Sequence, residues 1–167
     1  MKTLTAAMAA ITILTPLAAQ AAGPVPLGPN KGHYGEWIAA SYGTGADKIC
    51  YAFTKAIRTR PHISSRGIPM LTVTERHGSR DEISLTPGYK YPKNPVITLQ
   101  AGKTKIPFDV QDNVGFTDNV SPALAAFTGE STATATSSGP KGAKTVTDTY
   151  SLNGFSAAYK AIVKACP

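Results

Sequence analysis

Three histidines, His33, His62 and His77, are the side chains of this chain best suited to moving protons near neutral pH. Each stands beside Gly, Pro or Arg, which places them on loops. His62 and His77 are the candidates if the chain is a small secreted hydrolase. Asp81 and Glu82 are adjacent, and strand neighbours point to opposite faces, so they cannot face each other across a cleft as a glycosidase pair must. Ser138 and Lys141 have the spacing of a serine–lysine hydrolase motif, but Ser-Gly-Pro-Lys is a turn and cannot hold the lysine one helical turn from the serine. Gly102-Lys103-Thr104 ends like a phosphate-binding loop, yet the position that needs the first glycine is Ile97. Asp109 and Asp112 lack the rest of a calcium loop. Cys50, Cys166 and the histidines form no close ligand pair, so neither a metal nor another cofactor is expected. The chain reads as non-enzymatic.

Positive charge is the stronger signal. Lys and Arg number 17 against 10 Asp and Glu, a formal charge of +7. Arg58, Arg60, Arg66, Arg76 and Arg80 fall in one segment, and Tyr89, Lys90, Tyr91 and Lys93 follow closely. Gathered on one surface, they would attract an anionic envelope or host-surface component, such as lipid head groups or a polyanionic glycan. Spread apart, they are a solvated basic face. Tyrosines among cations can stack bases, but the leader described next argues against a nucleic-acid partner.

Met1-Lys2, the apolar run Leu4–Leu17 and the small-x-small triplet Ala19-Gln20-Ala21 compose a secretory signal peptide, cut near Ala21. The run is about 14 residues and contains Pro16, where about 20 apolar residues would be needed to span a bilayer. No transmembrane segment is expected. The protein is placed in the periplasm, the outer envelope or the medium, as a single domain from residue 22 to 167. In that oxidising setting the two cysteines are either bridged or buried as free thiols, and a Cys50–Cys166 bridge is the simpler account.

Short strands dominate the rest. Glu36–Tyr42, Lys48–Ile57, Met70–Thr74, Glu82–Thr86, Val96–Gln100, Lys105–Val110 and Lys144–Tyr150 carry strand-type patterns between Gly/Pro turns. The arginines from Arg58 to Arg66 fall in a loop by this reading, and Pro107 suits a strand edge. Pro122–Phe127 reads as a short helix capped by Ser121 with Pro122 first. Phe155, Ala158, Tyr159, Ile162 and Cys166 form one stripe of a terminal helix, with Ser156 as cap. This pattern fits either a β-sandwich or a small barrel, closed by the helix.

Several stretches resemble the bacterial invasion-associated locus B family. They are Asp148-Thr149-Tyr150-Ser151-Leu152-Asn153-Gly154-Phe155-Ser156-Ala157-Ala158-Tyr159, running on to Ala165-Cys166; Pro69–Thr74; and Glu82–Leu85 with Gly88-Tyr89 and Pro92-Lys93. Trp37 and Cys50 sit where that family has its early Trp and Cys. The resemblance covers essentially the whole of residues 22–167. It implies an exported, mostly β protein with an immunoglobulin-like β-sandwich closed by a C-terminal helix. It carries over no catalytic residue. The Ala/Thr-rich stretch Thr132–Thr136 departs from the family, where larger apolar residues are expected.

Overall fold

The computed structural model describes residues 23–140 and 144–167. The expected leader, residues 1–21, and Lys141 of the Ser138–Lys141 pair lie outside them. Strands β1 (Val25–Pro26), β2 (His33–Tyr34) and β3 (Trp37–Tyr42) come first. Next are β4 (Ile49–Arg60), β5 (Met70–Arg76), β6 (Ser79–Thr86), β7 (Ile97–Ala101), β8 (Thr104–Gln111) and β9 (Val114–Thr117). Helix α1 (Val120–Gly129) leads to β10 (Thr132–Ser138) and β11 (Thr145–Ser151), and α2 (Phe155–Ala165) ends the fold.

The architecture turns on β4. Its 12 residues span about 40 Å at the usual strand rise, enough to serve two partners along one edge. Ile49–Phe53 pairs with β3 and Ala56–Arg60 with β11, while the opposite edge takes β5. The strands therefore close into a ring, β4-β11-β10-β7-β8-β9-β6-β5, antiparallel throughout and returning to β4. This eight-stranded barrel replaces the expected immunoglobulin-like sandwich. A sandwich holds two sheets together by packing alone, whereas here every neighbour in the ring is joined by hydrogen bonds and no ring edge stays open. Both architectures bury every second residue, so strand alternation could not separate them. β3, with β1 and β2 beside it, extends the sheet outside the ring.

Strand ends also shift from expectation. β4 runs on through Arg60, so Arg58 and Arg60 stand on a strand and not in a loop. Pro107 lies where β8 pairs β7 alone, before its pairing with β9 begins at Asp109, which spares the missing N–H a partner.

Leu71, Val73, Ile83, Leu99, Ile106 and Tyr150 fill the interior. The inward residues of β10 are Ala133, Ala135 and Ser137, and the two alanines are buried in the same core as the larger Phe127 and Phe155. Helix α2 lies against β3 and β4, and α1 against β6, β7, β8 and α2. Phe155 is the hub where they meet, with ring centroids 5.0 Å from Trp37, 5.3 Å from Phe127 and 5.6 Å from Tyr159. Neither serine caps a helix: α1 starts after Asn119 and α2 after Gly154, each without a side-chain cap bond. Gly154 has φ of +92°, and a Cβ there would overlap the Tyr34 carbonyl oxygen. The sharp corner between β11 and α2 therefore needs glycine. Cys50 and Cys166 are bridged, with Cα atoms 5.9 Å apart, which ties the end of α2 to β4.

Candidate functional site

The barrel has two dissimilar ends. The helix end gathers the start of β4, the β5–β6 turn, α1 and α2. The loop end gathers the close of β4 with the segments 61–69 and 87–96.

At the loop end, Arg66 reaches inward. Its guanidinium forks onto Asp148, Nη1 to Oδ1 at 2.9 Å and Nη2 to Oδ2 at 2.5 Å, while Nε donates to the Pro87 carbonyl at 2.6 Å. The two side chains are 5% and 4% exposed. Thr59 Oγ1 donates to Asp148 Oδ1 at 2.7 Å. The Arg66 guanidinium also stands 5.0 Å over the Tyr89 ring. The Tyr89 hydroxyl meets Ser137 Oγ at 2.8 Å, and Asn113 bridges the Tyr89 carbonyl and the Tyr91 N–H. Burial pushes the phenols of Tyr91 and Tyr150 well up, with the Asp148 charge adding to both. Asp148 points inward because β11 alternates, and a buried carboxylate demands this many donors.

At the helix end, Glu75 is fully buried. It continues the inward series Leu71, Val73, Glu75, so its burial was visible in the phase of the strand, but nothing in the sequence marked its partner. That partner is Asp81, which the β5–β6 hairpin folds back beside it at φ of +57°. Burial, first, and then the hydrogen bond and charge of Asp81 raise the Glu75 carboxyl from 4.5 to about 7, against the opposing charge of Arg80. Two carboxylates could not donate to each other, and neither Glu75 oxygen finds a well-aligned donor among the described residues. A proton on Glu75 makes its carboxyl the donor and the Asp81 carboxylate the acceptor. Tyr159 donates its hydroxyl to Asp81 Oδ1 in a short bond, and its own phenol is raised by burial first and by Asp81 next. Arg80 Nε lies 3.0 Å from Glu75 Oε2, and its Nη1 donates to the Cys166 carbonyl at 3.0 Å. Cys50 sits opposite Glu75 in the β4–β5 ladder, so the bridge and the carboxyl pair share one corner.

The basic residues singled out in the sequence are thus dispersed. Arg66 is internal. Arg76 pairs with Glu82 at 3.0 Å and Arg80 with Glu75, both near the start of β4, where Arg76 stands opposite Ile49. Arg58 and Arg60 lie near the far end of β4, roughly 35 Å away along a strand of that length. Both are exposed, and neither makes an ion pair among the described residues. Lys90 follows Tyr89, whose bonds to Ser137 and Ser138 fix it at the loop end, and exposed Lys93 continues the same segment. His62 is exposed just past β4 and His77 exposed in the β5–β6 turn, at opposite ends of the barrel. Neither is hydrogen-bonded to a carboxylate or hydroxyl among the described residues.

No family model, curated protein or solved structure matches this chain. Its function must be argued from its own surface. No helix of the described residues is long and apolar enough to cross a membrane.

Proposed function

We propose that this chain is an exported, non-enzymatic protein of the invasion-associated locus B type, which binds an anionic partner through a basic surface at the loop end of the barrel. Arg58 and Arg60 carry the reading. Three of the five clustered arginines are paired with carboxylates, Asp148 and Glu75 buried and Glu82 half-buried, whereas these two face solvent on β4 with no acid paired to them among the described residues. Lys90 and Lys93 add charge at the same end. The leader and the cysteine bridge support an extracytoplasmic setting, and the motif resemblance supports a role in the envelope. The network around Arg66 supports the loop end as a rigid platform, since a buried bidentate pair fixes the segments that carry these cations.

The test is retention on an immobilised anionic polymer as salt is raised. Exposed cations bind through screened charge, so retention should fall steeply between low and physiological ionic strength. Replacing Arg58 and Arg60 together by Ala should release the protein at clearly lower salt, while Arg76→Ala should leave elution almost unchanged. Equal effects from both variants would mean that only net charge matters, and the proposed surface would be abandoned.

A further inference from the structure

We propose that the outer face of β7, β10 and β11 is the seat of an extended anionic polysaccharide. This rests on the reading that the protein binds an anionic partner through Arg58 and Arg60, extends that surface from the loop end along the barrel wall to Lys105 beside the β7–β8 hairpin, and names what the partner is. The strand registers place Arg58, Thr149, Thr134, Gln100 and Lys105 in one line across five neighbouring strands. A second line, Arg60, Thr147, Thr136 and Thr98, runs beside it and ends at Pro107. The intervening residues Ala133, Ala135, Val146 and Asp148 are buried, so the members of both lines face outward.

Four inter-strand steps of about 4.8 Å give each line a span of about 19 Å. Arginines stand at one margin and Lys105 at the other. Between them lies a depression of about 430 Å³ lined by threonines, with Gln100 and Gly102. Neither line contains an acid or an aromatic ring. The acids come at the margins: Asp109 further along β8, and Glu130, whose carboxylate packs against Gly102.

This chemistry suits a sugar chain that carries repeated carboxylate or sulfate groups. Threonine hydroxyls both donate and accept, as sugar hydroxyls do. Threonine is stiff at χ1, so the array loses little freedom when a ligand arrives. Cations at both margins complement charge distributed along a polymer. A single-stranded nucleic acid would call for aromatic platforms, and none is present on these lines. The departure at Thr132–Thr136 acquires a reason: alternating Ala and Thr fills a crowded core on one side and presents hydroxyls on the other.

The experiment is calorimetric titration of the purified protein with a heparin oligosaccharide at low salt. Long-chain polyphosphate and vesicles containing phosphatidylglycerol serve as comparators. Thr134→Val with Thr136→Val keeps shape and strand preference while removing two hydroxyls, and should weaken heparin binding about five- to tenfold. Lys105→Ala and the Arg58/Arg60 double alanine variant should each weaken it and flatten its salt dependence. Melting curves check that each variant is folded, and amide chemical-shift changes in the unaltered protein should centre on β7, β10 and β11. If the arginine pair matters while the threonine pair and Lys105 do not, this seat is overturned and the basic-surface reading survives. If polyphosphate or vesicles bind as tightly as heparin, the polysaccharide assignment is overturned. Absence of binding to all three probes would overturn both readings.

Discussion

Replacing Glu75 by Gln should make the protein more stable above neutral pH. Glu75 is fully buried beside Asp81, and its carboxyl is raised from 4.5 to about 7. The folded state therefore holds a proton that the unfolded chain gives up at lower pH. The stabilisation that proton brings is complete below about pH 4.5 and is lost as pH rises through about 7. At about 1.4 kcal/mol per pH unit, the difference amounts to about 3 kcal/mol. Glutamine has similar shape, can donate to Asp81 as the protonated acid does, and never ionises. The variant should match the parent near pH 4.5 and exceed it by about 3 kcal/mol at pH 8, or roughly 6–12 °C in melting temperature for a domain of this size. Thermal melts of both proteins, followed by circular dichroism at half-unit steps from pH 4.5 to 8, give the difference curve directly. A difference that stays constant with pH, or a variant less stable than the parent at pH 8, would refute the shared-proton account of this corner.

Three further variants test the rest of the frame. Arg66→Ala leaves Asp148 buried without its bidentate partner, and should cost about 3–5 kcal/mol in denaturant unfolding; a loss below about 1 kcal/mol would show that the pair is not desolvated. Cys166→Ser opens a bridge between residues 116 apart in sequence, and loop-closure entropy sets the loss at about 4–5 kcal/mol, a drop on the order of 10 °C in melting temperature. Because Cys50 faces Glu75 across the ladder, Cys166→Ser combined with Glu75→Gln should depart from additivity at pH 8, which a four-protein melting cycle would measure.

Much of this protein follows from local patterns. The period-two alternation marked most strands, and the terminal stripe marked α2, because each reports which face of an element is buried. Gly154 was legible because only glycine tolerates that backbone. The Cys50–Cys166 pair was legible because few thiols leave few pairings. What the sequence could not decide was closure. A sandwich and a barrel impose the same alternation, and the choice rests on β4 meeting β5 along one edge and both β3 and β11 along the other. Those are non-local registers that no short window encodes. The fate of the arginines was hidden for the same reason. Arg58, Arg66 and Arg80 look alike in the chain, yet one faces solvent, one is locked to Asp148 and one lies against Glu75. The sequence alone determined a basic, strand-rich domain with a C-terminal helix and two cysteines free to pair. The tertiary structure decided which cations remain at the surface and which threonines align, because both depend on partners brought together from distant parts of the chain.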